Sequence, residues 1–441
     1  MTRSITILHK DASQKDSHLF KTKIELDKNE WGLLMSIFSG FAAINWIIVI
    51  SVLFFGTLFF QKRILASPEW RAMGTPLASI IGSGFLIVAP LLWMLVGKFS
   101  LWVLLVITGV GYLMGNIMRY NIKYAEPLAN KSDKTMNHLN ALAETALACS
   151  YFISITFYIQ LLSSFLLKMG HITDTTYVNL LSSVIIFTTG LYGKLKGFRF
   201  LETAEIYSVN LKITTNLAFL IALFYYDYHQ GFGAAHDSET VTFSLTTLRR
   251  IGGMLLIVQG FEISRYLGHK YKADIRIKTM RYAQIISTLI YVCFVFLVES
   301  LMTDFKVITT TLVIDLSRQV AFILPFVVIL GAISSQYSSA IADMIGCGGT
   351  INEIIQDRVK LKTIYLFIAM GCIILLWTVD IFQLITLASR AFAFYYFLQC
   401  LVAFYVAKTI SHKNDFLKHI NILVMAILML AITLFSLPME G

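Results

Sequence analysis

Charged side chains are scarce in this chain. Asp, Glu, Lys and Arg make up 14% of its 441 residues, whereas about a quarter of the residues of a soluble domain are charged. Hydrophobic residues make up 57%, and apolar runs of about 18 residues or more, long enough to cross a bilayer, recur along almost the whole length. The composition therefore excludes a soluble globular protein and indicates an all-α integral membrane protein.

Cysteine and histidine are few, and neither forms a metal-binding pattern. The five cysteines show no C-x-x-C spacing, and the nine histidines fall mainly in tails and loops. We therefore expect no disulfide framework, no zinc site and no resident cofactor. The lack of a metal-ligand spacing also argues against a membrane-embedded enzyme.

The net charge of +10 does not indicate nucleic-acid binding, because the basic residues lie in short gaps between apolar runs rather than on one face of a soluble domain. We expect the lipid bilayer and a small-molecule substrate as partners, and the sequence gives no oligomeric state. The polar first thirty residues and the long first apolar run argue against a cleaved signal peptide.

The apolar runs predict about twelve transmembrane spans. They divide the chain into a polar tail (1–31), an extra helix (32–60), a ten-helix core (74–407) and a C-terminal helix and tail (408–441). The predicted spans are about 32–60, 76–97, 100–122, 139–168, 176–193, 205–226, 247–268, 280–303, 319–346, 361–379, 381–407 and 418–437.

Basic residues concentrate in alternate loops, which predicts the orientation. By this rule the core is entered from the cytoplasm and both termini lie outside, although six basic residues in the N-terminal tail favour the opposite side for that tail. The basic loops carry Lys62, Arg63, Arg71; Lys123, Lys131, Lys134; Lys194, Lys196, Arg199; Lys270, Lys272, Arg276, Lys278; Arg358, Lys360; and Lys408, Lys413, Lys418.

The second span contains the sequence Gly82-Ser83-Gly84, which predicts an interrupted helix. An unpaired backbone group in hydrocarbon costs several kcal/mol, so such a break persists only where it lines a cavity or is buried in protein. Freed N–H groups at a break bind anions such as a substrate carboxylate. The alternative is a stripe of small residues that lets two helices approach closely.

The seventh span contains a second candidate break, Gln259-Gly260-Phe261-Glu262. An ionisable residue at membrane depth indicates a functional site, although Glu262 could instead be neutral and purely structural. The two candidate breaks lie five spans apart. This spacing predicts two five-helix halves in an inverted repeat with a substrate site between them.

Two further patterns suggest ion coupling. Hydroxyls at Ser334, Ser335, Ser338 and Ser339 in the ninth span would offer oxygen ligands to a monovalent cation, or bond to their own helix as an ordinary packing stripe. Lys212 lies in the first turns of the sixth span, where it would either snorkel to the surface or point inward and exchange a proton.

Five lesser candidates complete the set, namely Arg390, Glu144 and the aromatic residues Tyr151, Phe152 and Tyr158. Arg390 in the eleventh span needs an acidic, carbonyl or substrate partner, which the sequence does not identify. Glu144 lies in the fourth span, as does Tyr151. Tyr151 is a candidate substrate contact, although an aromatic residue in a span more often packs.

In these motifs the chain resembles the amino acid–polyamine–organocation (APC) transporter superfamily, over about residues 74–407. Its amino acid permeases have a first core helix that reads roughly G-x-x-I-G-S-G-I-F, similar to Ala78–Phe85 here, and a sixth core helix with G-F-E, as at Gly260–Glu262. Their fifth core helix places a lysine about fifteen residues after a glycine, as Gly197 and Lys212 are placed. The region 334–339 resembles the eighth core helix of sodium:solute symporters. The presence of a helix before the core is a second similarity to those symporters.

The resemblance implies a leucine-transporter-type core of ten helices with one extra helix at each end, in a bacterial inner membrane. It implies that backbone groups at Gly82, Ser83 and Gly84 hold a substrate carboxylate. The substrate amine would be held at Gln259, Gly260, Phe261 and Glu262.

For coupling, the resemblance implies that Lys212 lies between the first and eighth core helices and exchanges a proton. In the competing scheme, Ser334, Ser335 and Ser338 bind sodium together with carbonyls near Ile80 and Ile81. A lysine ammonium and a sodium ion repel each other, so the two schemes exclude each other.

We therefore expect a secondary active transporter of amino acids or related amines that works by alternating access and is coupled to protons or sodium. The alternative is a non-transporting receptor or partner subunit built on a transporter fold. The charged second core helix and the atypical flanking spans favour this alternative.

Overall fold

The computed structural model describes residues 28–131, 134–168, 170, 172, 174–232, 243–268, 270–302, 311–356, 358–410 and 416–438. The chain divides into two compact units, residues 1–43 and 44–441, and apart from the start of α1 the helices below belong to the second. The described residues contain no strand.

Besides short 3-10 and π segments, the described part of the chain contains fifteen α-helices. They are α1 (Lys28–Phe59), α2 (Lys62–Ala66), α3 (Pro68–Val96), α4 (Ser100–Tyr120), α5 (Lys134–Lys168), α6 (Thr175–Lys196), α7 (Phe198–Gln230), α8 (Leu245–Gly252), α9 (Ile263–Tyr266), α10 (Ala273–Val298), α11 (Leu312–Val320), α12 (Leu324–Ile354), α13 (Leu361–Leu376), α14 (Ile381–Ile410) and α15 (Phe416–Phe435).

Local capping explains several helix ends. The Ser67 side chain accepts a hydrogen bond from the Trp70 N–H at the start of α3, and Asp174 does the same for Thr176 at the start of α6, as N-cap residues do. Gly197 has a φ of 73°, which lets the chain end α6 and begin α7 without an intervening loop.

Helix α12 lies at the centre of the core, where it packs against α5, α7 and α3. Helix α10 packs against α3 and α4, while α14 packs against α5 and α15. The α6–α13 pair lies further out, and most of the apolar stretch of α6 is not buried by the protein. The central helices therefore surround a buried interior.

Seven helical segments are long and apolar enough to cross a membrane, and three shorter apolar helices accompany them in the described residues. Helices or helix fragments lie at the positions of the predicted apolar spans. The number of twelve crossings and the inverted repeat stay predictions, as do the domain boundaries.

The predicted break at Gly82–Gly84 is wrong. Helix α3 runs without interruption from Pro68 to Val96. A Cβ atom on Gly82 would lie 1.4 Å from the Ser339 Oγ of α12, and one on Gly84 would lie 2.6 Å from the Ile257 side chain. These glycines allow close approach of neighbouring elements, which is the small-residue packing considered as the alternative.

Candidate functional site

The predicted break in the seventh span is confirmed. Helix α8 ends at Gly252, a short 3-10 turn covers Leu255–Val258, and Gln259 and Gly260 are not helical before the four-residue α9. Gly260 has a φ of 113°, which residues with a Cβ rarely adopt. A non-helical stretch at this depth leaves backbone groups that protein atoms must satisfy.

This break packs directly on the middle of α3. A Cβ on Gly260 would lie 2.5 Å from the Ser79 side chain and 2.8 Å from the backbone nitrogen of Ile80. The Tyr291 hydroxyl of α10 lies 2.9 Å from the carbonyl oxygen of Ile80 and 3.0 Å from that of Ile257. The two predicted motifs therefore meet in the interior, although only one of them is unwound.

Glu262 completes the backbone of the break. One of its carboxylate oxygens, Oε2, accepts hydrogen bonds from the Gly260 N–H at 2.8 Å and from the Tyr396 hydroxyl at 2.7 Å. The other, Oε1, is buried and has no hydrogen-bond partner among the described residues. The Tyr396 ring stacks on Phe261 with centroids 5.3 Å apart. Oε2 thus supports the backbone of the break, whereas Oε1 can accept a hydrogen bond from a ligand.

Other buried polar atoms near Glu262 are incompletely bonded. The amide nitrogen of Gln259 donates to the Tyr158 hydroxyl at 2.6 Å, whereas its oxygen has no partner among the described residues. The Tyr151 hydroxyl likewise has none, and it lies within electrostatic range of Glu262 and Asp343. Buried polar groups are normally hydrogen-bonded, so atoms left without a partner mark a place where a ligand or water fits.

Asp343 of α12 is a buried carboxylate that the sequence analysis missed. It accepts hydrogen bonds from the Ser79 hydroxyl of α3 at 3.0 Å and from the Ser154 hydroxyl of α5. Glu205 of α7, which is also buried, was missed as well. An acidic residue inside an apolar span is a signal that could have found both.

Lys212 points inward and is fully buried, so the snorkelling alternative is wrong. Its ammonium donates to the Ala78 carbonyl of α3 at 2.5 Å, and the Ser339 hydroxyl donates to the same carbonyl at 2.7 Å. The carboxylates that act electrostatically on Lys212 are Glu205 and Asp343. The lysine therefore lies at the junction of α3, α7 and α12.

The predicted sodium ligands are only partly brought together. The Ser335 hydroxyl lies 3.5 Å from the Ile81 carbonyl, as that scheme requires. Ser334 and Ser338 instead bond to carbonyls of their own helix, and the Ile80 carbonyl faces Tyr291. Successive helical residues differ by about 100° in direction, so Ser335 and Ser339 face α3 while their neighbours do not.

The residues predicted to hold a carboxylate do not present free donors. Gly82 and Gly84 lie inside α3, where the backbone is α-helical, so their N–H groups are directed along the helix rather than into the site. The side chain of Ser83 lies outside the described residues. A carboxylate-binding turn at this position would require local unwinding of α3.

The two lesser charged candidates lie apart from this cluster. Arg390 bonds to the hydroxyl and the backbone carbonyl of Ser436, beyond the end of α15, which identifies the partner that the sequence left open. Glu144 is partly buried, within electrostatic range of Glu353 and Arg265.

A cavity of about 550 Å³ leads towards the cluster. Its lining includes Lys270 and Leu361, which belong to or adjoin the basic segments 270–272 and 358–360. We call the side of the protein formed by these two segments the basic face. We call the cavity the vestibule. Residues of α7, α9, α12 and α13 and of the segment after α9 line it, among them Glu202, Ile263, Tyr266, Lys270, Gly346 and Glu353.

The inner end of the vestibule adjoins the buried cluster. Ile263 follows Glu262 in the chain, and a Cβ on Gly346 would lie 3.1 Å from the Tyr151 hydroxyl. At its mouth Glu202 pairs with Lys270 and, at 3.8 Å, with Arg71. A ligand that passes from the basic face to Glu262 and Asp343 would therefore move past carboxylates.

The cluster can hold a cation and a proton. Glu205, Glu262 and Asp343 are three buried carboxyl groups, and Lys212 is a buried amine close to two of them. The described residues contain no group of three or more His, Cys, Asp or Glu side chains placed to hold a metal ion. Excess carboxylate in a dry interior must be neutralised by protons or by a positively charged ligand.

Solved structures with a similar fold are crystal structures of a manganese transporter from Eremococcus coleocola. A mutant of that protein has a TM-score of 0.55 at 13% identity, with 83% of this chain and 87% of that chain covered. Its complex with an aromatic bis-isothiourea substituted compound has a TM-score of 0.53 at 13% identity, with 82% and 85% covered. At this identity the likeness shows the fold.

The sequence comparisons are more specific. An uncharacterized protein of Aquifex aeolicus (strain VF5) is 37% identical over 399 residues, which span 89% of this chain and 96% of that protein. A family model described as APC superfamily transporter matches residues 62–436. The chain therefore belongs to the APC superfamily of transporters.

Proposed function

We propose that this protein is a secondary active transporter of amino acids or related amines, which works by alternating access and is coupled to protons through Lys212. Membership of the family makes the chain an integral membrane transporter rather than an enzyme. The substrate, the coupling ion and the orientation are the proposed parts.

The free oxygen of Glu262 carries the substrate assignment. It is buried in a break of the helix, beside polar atoms of Gln259 and Tyr151 that also have no hydrogen-bond partner among the described residues. An ammonium group has three donors and no acceptor, so it matches a set of acceptors that includes a carboxylate. Asp343 adds a second carboxylate to the same interior.

The amine end of the substrate has more support than a carboxylate end. Binding of a carboxylate at Gly82–Gly84 needs free N–H groups, and α3 is continuous there. We therefore propose that a simple amine suffices for recognition. An amino acid would add a carboxylate contact only in a conformation in which α3 unwinds.

Proton coupling has more support than sodium coupling. The Lys212 ammonium donates to the Ala78 carbonyl at the same junction where Ser335 and Ile81 would hold sodium. An ammonium group and a sodium ion at the same helix junction repel each other strongly in a low-dielectric interior. Burial favours the neutral amine of a lysine over its charged form, which allows the group to release a proton during the cycle.

The vestibule supports access to the site from the basic face. The vestibule connects the basic face with the buried cluster, and the positive-inside rule assigns that face to the cytoplasm. We propose that this conformation is the one that communicates with the cytoplasm, in a bacterial inner membrane. Closure of the vestibule and opening of the other face would complete alternating access.

Uptake into proteoliposomes tests the proposal. The probes are 14C-putrescine, a 14C-labelled mixture of L-amino acids, and 54Mn²⁺. The last probe is included because the solved structures with a similar fold are those of a manganese transporter. We expect uptake of an amine probe that depends on an imposed pH gradient and is unchanged when sodium is replaced by choline. Lys212→Met should retain binding and lose the pH dependence.

Three outcomes would contradict the proposal. Uptake of 54Mn²⁺ alone would assign a metal substrate. Saturable amine binding without flux would favour the receptor alternative. Uptake by Lys212→Met that still depends on the pH gradient would show that another group carries the proton.

A further inference from the structure

Glu205 is a buried carboxyl group with no part in the substrate site proposed above. It lies on α7, seven residues before Lys212, and its side chain is 1% exposed. The Thr75 side chain of α3 lies close enough to act on its carboxyl group, while its Oε1 has no partner among the described residues. A carboxyl group is costly to bury in a membrane protein, so its presence calls for a role.

Glu205 and Lys212 lie on the same face of α7, towards α3. A separation of seven residues is about two helical turns, which puts both side chains on one face of α7. The Glu205 carboxyl group lies near Thr75 of α3, whereas the Lys212 ammonium donates to the Ala78 carbonyl. Thr75 and Ala78 are about one helical turn apart on α3, so Glu205 and Lys212 approach neighbouring turns of that helix, and each acts electrostatically on the other. A water molecule or the Thr75 hydroxyl would carry the proton between them.

Glu202 extends the same face towards the vestibule. It lies three residues before Glu205 on α7 and lines the vestibule, where it pairs with Lys270 and Arg71. Glu202, Glu205 and Lys212 thus form a row of ionisable groups from the basic face to the buried amine. Within the part of the chain that the structure describes, Lys270 also acts on Glu205, and Asp343 also acts on Lys212.

We propose that Glu205 is the proton relay between Lys212 and the vestibule; the inference rests on the proposed proton coupling. The Lys212 ammonium transfers one proton to the Glu205 carboxylate, which leaves a neutral amine and a neutral carboxylic acid. Glu205 then releases the proton to water in the vestibule beside Glu202 and returns to the carboxylate. Loading from the basic face follows the same path in reverse.

A relay differs from a fixed counter-ion in what its loss affects. A counter-ion stabilises charged Lys212, so its removal would change substrate exchange and proton movement together. A relay is needed only when Lys212 gains or loses its proton on the basic face. Exchange of internal for external substrate requires no net proton movement, so it is affected much less.

The test measures both processes in the same proteoliposomes. Proton flux is read from pyranine trapped inside, and exchange from counterflow of 14C-putrescine or of the 14C-labelled L-amino acid mixture, whichever the unaltered protein takes up. For Glu205→Gln we expect the ratio of proton flux to counterflow to fall by at least about tenfold. Glu205→Asp, which keeps a titratable group, should recover part of the ratio.

Matched variants and a folding check separate the outcomes. Glu299→Gln removes a carboxyl group at the far end of α10 and should leave the ratio unchanged. Gel filtration and thermal unfolding establish that each variant is folded. A normal ratio in Glu205→Gln, or equal loss of both processes, would overturn the relay. Absence of uptake of either probe by the unaltered protein would overturn the proposed function and the relay with it.

Discussion

Two glycine-containing stretches meet at the centre of this protein, and they have opposite structures. Gly82-Ser83-Gly84 continues an α-helix, whereas Gln259-Gly260 interrupts one. Both combine glycine with a polar residue in an apolar span. The difference lies in what their surroundings supply to the backbone.

At the break, side chains replace the missing backbone bonds. Glu262 accepts from the Gly260 N–H, and Tyr291 lies within hydrogen-bond distance of the Ile257 carbonyl. Around Gly82 the neighbouring groups fill space instead, because Ser339 of α12 packs directly against this glycine. Glycine therefore permits an unwound segment in a membrane protein, while nearby side-chain acceptors and donors decide whether one forms.

Gly260→Ala should have the largest effect, because it attacks the unwound member of the pair. Alanine at a φ of 113° is strained by about 1–3 kcal/mol, and its Cβ would collide with Ser79 and Ile80. We expect a lowered thermal midpoint and loss of amine uptake. Gly109→Ala is the matched control, because it is helical with open space around it. Equal behaviour of the two variants would show that the break is not required.

The sequence predicted the positions of the long helices well, because an apolar run is a local signal that does not depend on partners. It also predicted the break around Gly260, where a carboxylate two residues away supplies its own acceptor. It did not predict that Gly82 and Gly84 serve close packing in a continuous α3, because their neighbours Ser339 and Ile257 are distant in the chain.

Helix rotation is the second property that the sequence left open. Ser334 and Ser335 are neighbouring residues of the same type, but only Ser335 faces α3. Asp343 and Glu205 could have been recognised from their type alone, since acidic residues in apolar spans are rare. The neighbours of these two residues, namely Ser79, Ser154 and Thr75, lie on other helices, so they could be identified only from the structure.

Glu262→Gln should have the next largest effect, because it separates the structural half of this residue from its free half. Glutamine can still accept from the Gly260 N–H, so the break should persist. A hydrogen bond to a charged group contributes about 1.5–3 kcal/mol, so we expect the half-saturation concentration for 14C-putrescine to rise about 10- to 100-fold. Tyr396→Phe removes one donor and no charge, and should change it far less. A larger effect of Tyr396→Phe would refute the charge-based argument.

Gly82→Ala tests the continuous member of the pair. Its Cβ would overlap Ser339, and overpacking of this kind costs about 1–3 kcal/mol. We expect a lower thermal midpoint that Ser339→Gly partly restores in the double variant. If the stretch bound a substrate carboxylate instead, Gly82→Ala would weaken amino acid uptake while thermal stability and putrescine uptake stayed normal.

Tyr291→Phe should have the smallest effect, because it removes one hydroxyl that lies between the two stretches. The hydroxyl lies within hydrogen-bond distance of the Ile80 and Ile257 carbonyls, and the ring also packs on Phe85. The ring contact survives in the variant, so the loss in stability should be about 1 kcal/mol. Combined with Gly260→Ala, the effect should be smaller than the sum of the two, because a displaced break no longer presents its carbonyl to Tyr291. Full additivity in thermal unfolding would show that Tyr291 does not couple α3 to the break.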